Sequence, residues 1–175
     1  MRIRLPIFSR HMGMDIAHQS LDLEEMQSTS LEEIVEHKVR QAFATLQSPV
    51  LVEDVALGFD GLNGLPGPFV KFFVNVEDGL EKMCRMCDGL NNRSATASCV
   101  FGYFDGKRLE LFKGTLSGSI AVHPAGDSGF GWDKIFCPAG YGGRTRAELT
   151  PEEDEQTYTT IKPFAKVREF LLSLH

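Results

Sequence analysis

The residues best placed to do chemistry follow an apolar run. Pro49-Val50-Leu51-Val52 reads as a short buried strand, and Glu53-Asp54 come immediately after it. Beyond them, the loop from Gly58 to Pro68 holds four glycines and two prolines. Carboxylates so placed can bind a divalent cation or activate a water; standing alone, they are a solvated strand end. Side chains alternate across a strand, so one of the two enters any one site. The second candidate is Phe130-Gly131-Trp132-Asp133, at the end of a glycine-rich loop. Its Phe and single Trp can wall a planar base or plug one end of the core, and Asp133 can accept hydrogen bonds from ring nitrogens. Lys38 is the third. It lies one turn after Ile34 and one turn before Ala42, near an inward stripe, where a lysine either snorkels to water or meets an anion in a cleft.

The elements that must position these groups are legible in part. Ser30 and Glu33 fit a capping box. Leu31, Ile34, Val35, Val39, Ala42, Phe43 and Leu46 then recur at helical spacing. Residues 69–76 and 78–87 look helical. Ser94 to Phe104 and Arg108 to Leu116 flank Asp105-Gly106, a strong hairpin signal. A short strand is expected around Ile135-Phe136-Cys137. Pro163 suits the first turn of a last helix with Phe164, Val167, Phe170, Leu171 and Leu174 on one face. Helices mixed with a hairpin-containing sheet, with no repeat and no linker, make a single α/β or α+β domain.

Composition narrows the function. The chain has 175 residues, 42% hydrophobic and 24% charged, the balance of a soluble globular protein. No apolar stretch approaches the roughly 20 residues of a membrane span. The N-terminus shows no secretory apolar region, so a cytoplasmic location is expected. The net charge of −6 carries no basic stripe, which argues against nucleic acid and leaves a small anionic ligand open. Cys84 and Cys87 have the spacing of half a zinc site without a second half, and read as two buried thiols on one helix face. No phosphate loop of the Gly-x-x-x-x-Gly-Lys-Ser/Thr type, no Gly-x-Gly-x-x-Gly and no His-Glu-x-x-His is present. Gly126-Asp127-Ser128-Gly129 matches the nucleophile segment of trypsin-like proteases, but His123 is too close to serve as its base.

Taken in order, the motifs resemble the inosine triphosphate pyrophosphatase family. Leu21-Asp22-Leu23-Glu24-Glu25-Met26-Gln27 resembles the acidic segment before that family's first long helix, and Lys38 falls where the helix has its lysine. Val52-Glu53-Asp54-Val55-Ala56-Leu57 resembles Val-Glu-Asp-Thr-x-Leu. Leu65-Pro66-Gly67-Pro68-Phe69-Val70-Lys71 resembles Leu-Pro-Gly-Pro-Tyr-x-Lys. Gly114 to Gly118, Phe130 to Asp133 and Gly140-Tyr141 then follow in family order.

The resemblance implies a long mixed sheet flanked by helices, with two lobes around a central cleft, as a homodimer. It implies a domain over residues 21–175, preceded by a divergent or truncated segment over 1–20. Glu25 and Asp54 would hold Mg²⁺, and Asp54 would also orient or deprotonate the attacking water. Lys38 and Lys71 would face the phosphates, and Phe130, Gly131, Trp132 and Asp133 would line the base pocket of a purine nucleoside triphosphate. Two family elements are missing. The opening Ser/Thr-Gly-Asn-x-x-Lys loop has no counterpart in Met1 to His18, and Thr160-Ile161-Lys162 stands nearest to the C-terminal Ser-His-Arg. A looser base pocket and weak triphosphate binding are therefore expected, with Lys162 and Arg144 as further cations for the cleft. A catalytically weak or inactive nucleotide-binding homologue is the alternative.

Overall fold

A computed structural model describes residues 5–14 and 16–174. The first four residues, part of the N-terminal stretch discussed above, lie outside them. The helices are α1 (Leu5–Met12), α2 (Leu31–Leu46), α3 (Val70–Val74), α4 (Gly79–Met86), α5 (Pro151–Ile161) and α6 (Phe164–Leu172). The strands are β1 (Val50–Phe59), β2 (Pro66–Gly67), β3 (Ser94–Phe104), β4 (Leu109–Ile120) and β5 (Phe136–Pro138), ordered β2-β1-β3-β4-β5 in one sheet. Every ladder among the described residues is antiparallel, where a mixed sheet was expected. Before α2 the described residues form helix Leu5–Met12 and no ladder.

The expected short strand at 49–52 runs on to Phe59, through both carboxylates. Val55, Ala56 and Leu57 are apolar and buried, and β1 pairs with β3 from Val50↔Phe104 to Phe59↔Ala95. Asp54 and Glu53 therefore stand mid-strand and point to opposite faces. One face buries Val55, Leu57, Phe59, Ala97, Cys99 and Phe101 in the main core, together with residues of α4, α5 and α6. The other face packs Val52, Ala56, Val100 and Leu111 under Leu31 and Val35 of α2.

Ser30 caps α2 by accepting the Glu33 N–H, one half of the expected box, while Glu33 Oε2 accepts the Ser28 hydroxyl at 2.6 Å. The helix seats closely because Gly102 of β3 has no side chain. A Cβ there would stand 2.6 Å from Val35 Cγ1. The expected hairpin forms as β3 and β4, with Asp105 at the turn accepting the N–H groups of Lys107 and Arg108. Helix α5 was not anticipated. Its apolar pattern is thin, but Thr150 caps it, Pro151 opens it and Glu153 completes a capping box.

Candidate active site

The stripe that buries Leu31 and Val35 carries Lys38, one turn on, over the sheet. Its Nζ lies 2.6 Å from Asp54 Oδ2, with both side chains partly buried. Asp54 Oδ1 accepts its neighbour Val55's N–H at 2.9 Å. Lys38 thus meets an anion rather than snorkelling free, and the anion is the carboxylate singled out in β1. A second pair, Lys71 of α3 with Glu25 of the segment before α2, is more exposed. The Lys71 ammonium bonded to Glu25 holds that carboxyl below the usual range, and Lys38 pulls in the same direction. The four groups therefore share one electrostatic neighbourhood, alternating acid and lysine. Each acid is matched by a cation, so the four charges sum to zero.

Beside them, a cavity of about 260 Å³ opens between Thr29, Leu31 and Glu32, the small residues Ala56, Gly58, Thr96 and Ser98 of the sheet, and the loop at Asp60, Gly64 and Gly67. Lys113, paired with Glu32 at 2.6 Å, closes one side.

Glu53 has a different fate. It crosses the sheet and takes both of its oxygens 2.7 Å from Lys162 Nζ at the end of α5, each side chain only 6% exposed. Burial and the Glu53 charge push the adjacent Cys99 thiol well above its ordinary value. Lys162 is therefore withdrawn from the cleft for which it was a candidate. Arg144 is committed too, forking onto both oxygens of Glu153. Cys84 and Cys87 are buried free thiols of α4 and the residue after it, and burial pushes Cys84 up to about 12.

The loop expected to hold a base divides its residues. Trp132 packs edge-on against Phe136 at 5.7 Å and joins the core, while Phe130 is 72% exposed. The two rings do not form one wall. Gly131 opens the 3₁₀ turn Gly131–Lys134 with positive φ (62°). That turn touches α3, so the element bearing Lys71 and the loop expected to hold a base are neighbours. Asp133 Oδ2 accepts the Phe130 N–H at 2.8 Å, and Oδ1 accepts Arg146 Nη1 at 2.8 Å. Sequence reading missed Arg146, because nothing in its local sequence announces a partner in a different loop. Among the described residues, no group of three or more His, Cys, Asp and Glu side chains is arranged to hold a metal ion. Among them, no helix is long and apolar enough to cross a membrane.

Fold and paired charges together define a single α/β domain with alternating acids and lysines beside a cavity on one sheet face. The chain belongs to the Ham1 family, whose sequence profile matches residues 7–170. It is 43% identical over 160 residues to the inosine triphosphate pyrophosphatase of Scheffersomyces stipitis, covering 90% of this chain and 80% of that one. It is 41% identical over 168 residues to that of Batrachochytrium dendrobatidis, covering 95% and 86%. Among solved structures, a HAM1 protein from Coxiella burnetii superposes with TM-score 0.82 at 26% identity, covering 97% and 93%. The Staphylococcus aureus Ham1 protein gives 0.77 at 29%, covering 89% and 82%.

Proposed function

We propose that this chain hydrolyses non-standard purine nucleoside triphosphates, of the ITP, XTP and dITP kind, to monophosphate and pyrophosphate. The observation that carries the reading is the Lys38–Asp54 pair on the α2 face of β1, beside Lys71–Glu25, in a chain of the Ham1 family. Lys38 and Lys71 exchange their carboxylate partners for phosphate oxygens when the polyanion enters. Asp54 orients a water and accepts its proton. The water oxygen joins phosphorus and the anhydride between the first two phosphates opens. Pyrophosphate leaves with the bond's electron pair, its charge met by the lysines.

Glu25 and Asp54 are hard oxygen donors lying in the field of the same lysine, a set that suits Mg²⁺. Bound there, the ion would supply charge neutralisation on the phosphates. Phe130, Gly131, Trp132 and Asp133 are the base-side residues of this reading. A homodimer in the cytoplasm accompanies it.

The test is a panel of inosine, xanthosine and adenosine triphosphates with and without Mg²⁺, scored for pyrophosphate and orthophosphate separately. Pyrophosphate released with Mg²⁺ supports the reading, and orthophosphate as sole initial product refutes it. One observation favours a second reading, nucleotide binding without turnover. The expected Ser/Thr-Gly-Asn-x-x-Lys loop has no counterpart in Met1 to His18, where Leu5–Met12 form helix α1 instead. Binding in the same panel with no product released would select it.

A further inference from the structure

The terminal torsion of an aspartate is broad, so a carboxylate on a strand needs other groups to fix its direction before it can serve as a base. Asp54 meets two such groups, one for each oxygen. Lys38 Nζ lies 2.6 Å from Oδ2, and the main-chain N–H of Val55 donates to Oδ1 at 2.9 Å. The two clamps differ in kind. Lys38 is a flexible stem reaching down from α2, whereas Val55 lies in a strand paired with β3 from Val50 to Phe59.

The Val55 N–H is free to bind a side chain because of where it points. Phe59 donates to Leu65 O and accepts from the Gly64 N–H, both at 3.0 Å, so its main-chain groups face the β2 side. Main-chain groups alternate between the two edges of a strand, so those of Leu57, Val55, Glu53 and Leu51 face the same way. The β2 ladder covers only Leu57 and Gly58. Among the described residues no strand therefore takes the Val55 N–H, and the Asp54 side chain does, a short-range bond that aspartate makes readily. The Asp54 side chain is 26% exposed, and Ala56, next on that face of β1, lines the cavity of about 260 Å³.

We propose that the Val55 main-chain N–H is a positioning group for the reaction, anchoring Asp54 by Oδ1 so that Oδ2 is the oxygen that receives the proton of the attacking water. The proposal rests on the pyrophosphatase reading above. When phosphate oxygens draw Lys38 away, Oδ2 loses its lysine while Oδ1 keeps its amide, which belongs to the strand and has no stem to swing. The carboxylate thus holds its direction at the moment it becomes free to act. The water O–H bond breaks toward Oδ2, and its electron pair stays on the oxygen that joins phosphorus. Pyrophosphate carries off the electron pair of the anhydride bond. An acid held by Lys38 alone would lose partner and direction together. A misplacement of about 1 Å costs about 100-fold in rate, which sets the scale of the effect.

Two variants separate the amide from the side chain. Val55→Pro removes the N–H on the edge away from β3, where proline breaks no ladder bond. Val55→Ala keeps the N–H and also cuts back the buried side chain. Both are assayed for pyrophosphate release from inosine triphosphate at a temperature where each shows native circular dichroism. The kcat of Val55→Pro should fall about 10–100-fold below that of Val55→Ala with KM unchanged, because the anchor acts on the reacting group and not on substrate binding. Equal kcat in the two folded variants overturns the proposal, as does a loss confined to KM. Native-state hydrogen exchange reads the anchor without turnover, and decides should Val55→Pro not fold. Corrected for intrinsic rates, Asp54→Ala should speed exchange of the Val55 N–H about 10–100-fold, the loss of a hydrogen bond to a charged acceptor. The Val52 and Ala56 amides, which face β3, should keep their wild-type rates. Lys38→Met should leave the Val55 amide at its wild-type rate, since Oδ1 stays bound. No acceleration in Asp54→Ala overturns the anchor, and equal acceleration in Lys38→Met overturns its independence of the lysine. Should the wild type release no pyrophosphate, the turnover reading fails alone, and exchange still decides the anchor.

Discussion

Replacing Lys162 by methionine isolates the most deeply buried ion pair among the described residues. The Glu53 carboxylate then stays in the sheet's buried face, 6% exposed, having lost an ammonium 2.7 Å from each oxygen. Little can relax around it. Gly114 of β4 lies so close beneath the end of α5 that a Cβ there would stand 2.3 Å from Ile161 O. Cys99 Sγ at 3.9 Å from Glu53 Oε2 is a poor substitute donor. Removing one partner of a buried pair costs about 3–5 kcal/mol. At about 2–4 °C per kcal/mol for a chain of this size, Tm falls by about 6–20 °C. The double variant Glu53→Leu/Lys162→Met should regain most of that loss, because apolar side chains of similar volume often replace such pairs at little cost.

Urea titration of the four forms reads the cycle. A single-variant loss under about 1 kcal/mol, the worth of an exposed pair, would refute the claim that the pair is desolvated. The pH dependence adds a sign. Burial works to lower the Lys162 pKa, but Glu53 opposes it and the net shift is upward. A raised folded-state value means stability fully present below the unfolded lysine pKa of about 10.4 and lost as pH rises through the folded value. Wild type should therefore shed stability above about pH 10.4, and Lys162→Met should lack that component.

Asp54→Asn keeps the shape but removes a charge and a proton acceptor, so turnover should fall about 10²–10⁴-fold with Mg²⁺ present; an undiminished rate in a pyrophosphate-release assay would mean the wrong carboxylate was chosen. Lys38→Met should weaken triphosphate binding about 10–100-fold in calorimetry. The same change should tighten the binding of Mn²⁺ alone, because Asp54 is released from its lysine; the charge-matched control is Lys113→Met, and equal changes in the two would refute competition at Asp54. The four cysteines are buried and Cys84 is pushed up to about 12 by burial, so iodoacetamide at pH 8 should label none in the native protein and all four in urea, by mass spectrometry.

Local chemistry was readable where cause and effect lie close in the chain. The Ser30 cap, the stripe of α2, the Asp105-Gly106 turn and the motif order that carries the family are written in neighbouring residues, because caps, turns and periodicity act over one or two turns of chain. That Lys38 lies near the inward stripe of Ile34 and Ala42 was also visible, but helical spacing left open whether it snorkels to water or meets an anion. What it meets was not visible, for Asp54 reaches it only when β1 lies under α2. Helix α5 carried a capping box and an N-terminal proline, but too few apolar residues for its period to show.

Tertiary structure alone decided the partners of the remaining charges. Glu53 and Asp54 are adjacent and chemically alike, and strand alternation separates them into a buried ion pair with Lys162 on one face and a pair with Lys38 on the other. Which face received which depended on where α2 and α5 came to rest. Lys162 lies 109 residues from Glu53, and Arg146 reaches Asp133 from a separate loop. No local rule links them. A charge entering the interior must find its opposite wherever the fold brings one, since burying it unpaired costs more than most single contacts return.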